Sequence, residues 1–256
     1  MRVAVCCKGV PVGLILESVK VDTGDVRFEN ADIFINEFDD YGLEAALFLQ
    51  KTYQTETVAL TLGPLRAQEV LHNAIAKGVD NVLRIEGETC RPELIAYGLA
   101  SALKEINPQL ILAGVQSEDW MGGEVGIFLA QMLNMAVAYA VIEICDLNDT
   151  HVRVKKEIGG GRCAEVKLKL PAVLCVQSGI QPFRYLSMVK RRKARDKPIK
   201  LWGKLDVERA KQAVAGMAAY GFKEVSLPAK EEHAEMITGD RSEKAAKVLE
   251  IIAKAT

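Results

Sequence analysis

The stretch "ETVALTLGPLRAQEVLHNAIAKGVDNVLRIEG", Glu56–Gly87, decides the fold. Val58–Leu62 is a short apolar run of strand composition, broken at Gly63-Pro64. The residues that follow, up to Lys77, space their apolar side chains as one face of a helix does, and Gly78 supplies the usual stop. "DNVLRIEG" then returns as a strand. A strand, a helix and a second strand in so few residues predict a parallel pair joined by a helical crossover.

The same rhythm extends in both directions. "RVAVCC", Arg2–Cys7, is a buried first strand ended by Lys8-Gly9 and Pro11. "VKVDTGDVRF", Val19–Phe28, alternates on both sides of Thr23-Gly24 and predicts a surface β-hairpin. From Asn36, "NEFDDYGLEAALFLQKTY" places Tyr41, Leu43, Ala46, Leu47 and Gln50 at helical spacing, with Asn36 and the acids expected to cap it. "RPELIAYGLASALKEINP" is a helix bracketed by Pro92 and Pro108, "QLILAGV" a fourth strand, "GEVGIFLAQMLNM" a helix and "AVAYAVIEICDL" a strand. "HVRVKKEIGGGRCAEVKLKLPAVLCV" predicts an antiparallel hairpin leading into a last apolar strand, Ala172–Val176. The expected fold class is α/β, a mostly parallel, doubly wound sheet covered on both faces, with a β-hairpin excursion. Residues 1–199 form the expected nucleotide-binding-type domain, and residues 200–256 an arm ending in an amphipathic helix, "DRSEKAAKVLEIIAKAT".

Composition narrows the function classes. The chain has 256 residues, 49% hydrophobic, with a formal net charge of −1, so a sizeable core is available and no global field favours nucleic acid or an anionic membrane. The N-terminus lacks a signal-peptide pattern and no apolar run approaches the roughly 20 residues of a membrane helix, which predicts a soluble, cytoplasmic protein without membrane insertion. Six cysteines without a CxxC pair are expected to be reduced.

In a doubly wound sheet, ligands sit at the carboxyl ends of the strands. The loops that qualify are Cys6–Pro11, Ile35–Phe38, Thr61–Pro64 and Gly114–Gly126. The last, "GVQSEDWMGGEVG", opens a helix with free N–H groups and glycines that permit close backbone approach, yet it carries Glu118, Asp119 and Glu124, which would repel a phosphate. It matches neither a Walker loop nor the dinucleotide fingerprint, so phosphate cradle and ordinary turn stay equally open on these residues alone. His72, His151 and His233 have no partner at a catalytic spacing, and no nucleophile elbow or metal pair is present. "VKRRKARDK", Val189–Lys197, is a local basic run without the interleaved aromatics that nucleic-acid binding calls for. With Phe183, Tyr185, Leu186 and Met188 just before it, it suits a protein-docking loop instead.

"VKKEIGGGRCAEVKLKLPAVLCVQ", "VAVCCKGVP", "NEFDDYGLEAAL", "LTLGPLRAQEVLHNAIAKGVD", "AGVQSEDWMGGEVG" and "PFRYLSMVKRRKARDKPI" together resemble the electron transfer flavoprotein β subunit, in order and over essentially the whole chain. The resemblance implies an adenine-nucleotide alpha-hydrolase-like, Rossmann-like fold that pairs with an α subunit carrying most of the redox FAD, the C-terminal arm wrapping that partner. It implies AMP in this chain, or a second FAD and NADH in electron-bifurcating members. The pocket would be formed by Cys6, Asn36, Leu62, Gln116 and Asp119, with the phosphates at Gly123, Glu124, Val125 and Gly126. Lys8 matches the family's first-strand lysine. Tyr185, Leu186, Met188, Lys190 and Arg191 fall in the family's recognition loop for a flavin dehydrogenase, Met188 standing where a leucine anchor is usual. This chain departs from the family at Val125, where AMP-binding members often have threonine, at Met121-Gly122-Gly123-Glu124, where bifurcating members have D-T-A-Q, and at Val12-Gly13 in the first loop, where bifurcating members commonly have D-T. In the signature hairpin Gly159 and Ala164 replace the usual acid and Glu or Gln. An adenine-nucleotide sensing module of a related fold is the remaining alternative.

Overall fold

The computed structural model describes the backbone of residues 1–12, 19–22, 25–28, 32–217 and 236–255, and side chains of these except 19–28 and 255. Thr23, Gly24 and His233 lie outside the described residues. Two compact units are present, Met1–Lys223 and Glu224–Thr256.

In the first unit the alternation of strand and helix builds one large sheet. Its strands are β1 (Arg2–Cys6), β6 (Glu56–Leu62), β7 (Asn81–Glu86), β8 (Leu110–Gly114), β9 (Ala136–Leu147), β10 (His151–Glu157), β11 (Cys163–Lys169), β12 (Ala172–Val176) and β13 (Lys200–Lys204). They lie in the order β11-β10-β9-β12-β8-β1-β6-β7-β13. From β9 through β12, β8, β1, β6 and β7 to β13 every neighbouring pair is parallel, whereas β10 and β11 add antiparallel. The first part of β9 pairs with β12 and its far end with β10, so this strand joins the parallel core to the signature hairpin.

Both faces of the sheet are buried, as the near-continuous apolar strands require. Val3, Val5, Leu110, Leu112 and Leu174 face α1 (Glu37–Tyr53) and α2 (Gln68–Lys77), where Leu43, Leu47, Leu71 and Ala74 close one core. The alternate residues, Ala4, Cys6, Ile111, Ala113 and Val173, face α3 (Pro92–Ile106) and α4 (Val125–Leu133) and pack with Leu99, Leu103 and Leu129. This is the doubly wound α/β arrangement that the sequence pattern predicts.

Two small ladders lie apart from the sheet. β2 (Gly9–Val12) pairs antiparallel with β5 (Asp32–Ile35), and β3 (Val19–Asp22) with β4 (Asp25–Phe28), the latter being the hairpin expected around Thr23-Gly24. The pairing of Gly9–Val12 with Asp32–Ile35 brings both ends of this excursion back to the carboxyl edge of β1.

The basic run is a helix. α5 (Met188–Arg195) starts at Ser187, whose hydroxyl accepts from the Lys190 N–H, and its cations cluster in the last turn, where the helix dipole favours them. Beyond it, β13 extends the sheet edge at β7, and α6 (Val207–Ala213) packs Ala210 and Val214 with Leu94 and Leu205, so residues 200–214, expected in the arm, pack with the first unit. The second unit contains the predicted terminal helix, α7 (Arg241–Ala255), with Val248, Leu249, Ile251 and Ile252 exposed. No helix among the described residues is long and apolar enough to cross a membrane.

Candidate nucleotide cleft and docking segment

The loops after β1, β5, β6, β7 and β8 surround a cleft of about 720 Å³, a size suited to a small organic ligand or cofactor. It lies at the carboxyl ends of the parallel strands, where the chain leaves β1 towards β6 on one side and enters β8 on the other. This is a topological switch point.

A buried carboxylate holds the mouth together. Asp39, in the first turn of α1, accepts from the Lys8 backbone N–H at 2.8 Å and from the Gly114 backbone N–H at 2.7 Å, joining the loops after β1 and β8. Burial pushes the Asp39 carboxyl up to about 6, against the pull of those N–H groups and of Asn36. Asn36 itself does not cap α1 with its side chain, contrary to expectation. Its amide donates to the Gln116 carbonyl at 2.9 Å and its oxygen accepts from the Glu118 N–H at 3.2 Å, because the loop after β8 lies within reach and needs the same groups. Glu118 does the capping from outside, accepting from the Glu37 N–H at 3.1 Å.

Two of the acids that argued against a phosphate are therefore used to hold the loop. Asp119, nearly buried, pairs with Lys8 Nζ at 2.6 Å and accepts from the Trp120 N–H, while Lys8 also donates to Ser117 Oγ at 3.1 Å. Burial draws the Lys8 ammonium pKa below its ordinary value, with Asp119 opposing. Glu124 is the remaining acid. It occupies the N-cap position of α4, makes no side-chain cap hydrogen bond, and places its carboxylate near Gly122.

The glycines divide by role. Gly123 has φ +68°, and a Cβ there would lie 2.5 Å from Tyr139 Oη and 2.8 Å from the Val115 carbonyl, which Tyr139 holds by a 2.9 Å hydrogen bond. Gly126 is buried and lets α4 lie against β12, since a Cβ would meet Cys175 Sγ at 2.5 Å; unlike the other expected cleft residues, it does not line the cleft. Cys6, Lys8, Asn36, Leu62, Gln116, Asp119, Gly123, Glu124 and Val125 do line it. Sequence reasoning missed the loop after β7, where Arg66 reaches Glu88 at 3.0 Å and Arg91 pairs with the buried Glu93. The signal was available: "GETCRP" is another strand-to-helix loop at the same edge.

The Cys6 thiol is pushed far above its ordinary pKa by burial and then by Asp39 and Cys175, and the Cys175 thiol by burial up to about 12, so both stay protonated. No group of side chains suited to a metal ion occurs among the described residues.

None of the five residues expected to meet a partner, Tyr185, Leu186, Met188, Lys190 and Arg191, lines the cleft. Tyr185 and Met188 are 88% and 77% exposed, Lys190 and Arg191 are exposed, and Leu186 is turned inward and buried. Leu186 thus fixes the segment to the body, while Tyr185, Met188 and Val189 face outward beside the cations of α5.

The structure thus combines a doubly wound α/β fold, a cofactor-sized cleft at its switch point and a separate exposed basic segment. The description "Electron transfer flavoprotein domain" matches residues 26–207. The chain is 33% identical to the electron transfer flavoprotein subunit beta of Methylophilus methylotrophus, covering 91% of each chain. It is 31% identical to the protein of that name from Bradyrhizobium diazoefficiens, covering 78% of this chain and 80% of that one. It is 30% identical to the caffeyl-CoA reductase-Etf complex subunit CarD of Acetobacterium woodii, covering 93% and 92%. The chain belongs to the electron transfer flavoprotein family, among its beta subunits, and its work is electron transfer.

Proposed function

We propose that this chain is the β subunit of a cytoplasmic heterodimer whose α subunit carries the redox FAD, and that its cleft holds an adenine nucleotide, AMP in the plain carrier. The observation that carries this reading is the cleft itself. Its glycine-opened helix start and its two further arginines fit an adenylate, because Glu118 and Asp119 are taken up within the fold, by the Glu37 N–H and by Lys8, and leave the backbone N–H groups of the helix start for the ligand. Gly123 and Val125 would stand at the phosphate, Val125 offering only its N–H, and Glu124 would contribute its backbone alone. Cys6, Asn36, Leu62 and Gln116 would stand on the nucleoside side. FAD supplies the electron chemistry when bound; this chain positions, shields and docks. Gly126 would act behind the phosphate site by setting how closely α4 approaches β12. Tyr185, Met188, Lys190 and Arg191 would meet an acidic surface on a flavin dehydrogenase, with Leu186 as their inner anchor.

A second reading is a bifurcating subunit with a second FAD. The cleft also takes in Gly87–Pro92 of the loop after β7, where the second half of a dinucleotide would lie. Heat release of nucleotides from the purified heterodimer, with identification by mass, decides between them. One FAD and one AMP are expected; two FAD and NADH oxidation by the complex would establish bifurcation. A chain that stays monomeric beside its α subunit and releases no nucleotide would refute both.

A further inference from the structure

The docking segment has no regular secondary structure between β12 and α5, yet Arg184, its side chain 37% exposed, ties it to charges that solvent hardly reaches. Lys77, the last residue of α2, and Glu44, two turns into α1, each have side chains only 3% exposed. Lys77 Nζ lies 2.7 Å from Glu44 Oε1 and 2.7 Å from Asp40 Oδ1. Arg184 closes the group from the segment side: Nε donates to Glu44 Oε2 at 2.7 Å, its backbone N–H to Oε1 at 3.3 Å, and its guanidinium to the Lys77 carbonyl at 3.0 Å. Phe183 stacks on Tyr41 with ring centroids 4.2 Å apart, and Lys77 Nζ stands 5.2 Å from the Phe183 centroid.

Two cations and two anions at these distances form a neutral cluster that removing one member would unbalance, and a buried pair broken on one side leaves a desolvated charge. Buried ionic groups of this kind can fix one conformation rather than add stability. Here the conformation they fix is that of Phe183 and Arg184, immediately before exposed Tyr185. The next contacts, His72 with the Ala194 carbonyl and Arg195 with Glu69, seat α5 on α2 independently.

We propose that Lys77, Glu44, Asp40 and Arg184 are positioning residues for protein docking: they preset the 180–187 segment so that Tyr185 and Met188 meet a partner oxidoreductase in one geometry. The proposal rests on the docking reading above. Lys77 acts without touching the partner, since its side chain is buried beneath Phe183.

The test uses the full-length chain co-expressed with its α subunit, as wild type, Lys77→Met, Lys77→Arg and Tyr185→Ala. Amide exchange is followed by mass spectrometry, and electron transfer is measured with the flavin dehydrogenase that reduces the wild-type complex, dithionite serving as a chemical donor. Lys77→Met should speed exchange about tenfold in 183–187, where the Arg184 N–H donates to Glu44, while leaving β1 and β8 amides unchanged. It should raise the KM for the heterodimer about tenfold with kcat and the dithionite reaction held, and Lys77→Arg should recover part of both effects. Exchange that rises evenly over the chain, or an unchanged KM beside a freed segment, would overturn the positioning role. Tyr185→Ala separates the two claims: it should raise KM without changing exchange. If it leaves KM untouched, the docking reading fails, and with it the proposal that the cluster serves docking.

Discussion

Replacing Gly123 by alanine is expected to remove nucleotide from the purified complex and to destabilise the chain by about 2–4 kcal/mol. The left-handed backbone at this position costs an alanine about 1 kcal/mol. The added methyl group must also displace either Tyr139 Oη or the Val115 carbonyl, and overpacking of this kind costs roughly 1–3 kcal/mol. The second displacement matters more for function. Val115 continues β8 into the cleft loop, and its N–H is held by the Val176 carbonyl, so the loop yields before the sheet does. Gly122→Ala is the control, because its φ is ordinary and a Cβ there meets nothing nearer than Glu124 at 3.8 Å. Thermal unfolding should show a Tm lower by roughly 5–15 °C for Gly123→Ala and little change for Gly122→Ala. Equal behaviour of the two variants, in stability and in nucleotide content, would show that the Gly123 turn does not shape the cleft.

That contrast illustrates what the sequence reveals and what it conceals. The parallel sheet was legible because buried strands and amphipathic helices leave different periods, as in Val58–Leu62 against Val70, Leu71 and Ala74. The edge strand Lys200–Lys204 was not, since five residues with two lysines and a glycine carry no period of their own and become a strand by pairing with β7. α5 was hidden for a related reason: a run of cations has no apolar stripe, and its helix is set by the Ser187 cap and by Ala194 packed in the body. At the cleft, residue types and order were enough to gather its loops. The use of each acid was not, because Glu118 and Asp119 find their partners, Glu37 and Lys8, some 80 and 111 positions away. Local reading could see only acids beside the expected phosphate; the fold pairs Asp119 with Lys8 and turns Glu118 to the start of α1. Arg184 meeting Glu44 over 140 positions is the same kind of information.

The second large effect is expected at Asp39. Asp39→Ala leaves two backbone N–H groups, of Lys8 and Gly114, without their acceptor, and each such loss costs about 1–3 kcal/mol. A total of roughly 2–5 kcal/mol is expected, with loss of nucleotide, because these bonds join the loops on opposite sides of the cleft. Asp39→Asn should fall between, its carbonyl oxygen serving one N–H while its amide faces the other. The titration of Asp39 adds a signature that a purely steric effect would not. Burial holds the folded carboxyl at about 6, above the roughly 3.9 of an unfolded aspartate. Its contribution to stability is therefore fully present below pH of about 4 and declines as pH rises through about 6. Asp39→Asn has nothing to titrate there, so the stability gap between wild type and this variant should narrow from pH 4.5 to pH 7.5 in urea unfolding at constant ionic strength. A gap that stays constant across that range would mean that the carboxyl keeps an ordinary pKa and that the clasp draws little from burial. A gap that widens with pH would mean that the N–H bonds outweigh desolvation and that Asp39 favours its charged form even in the closed mouth.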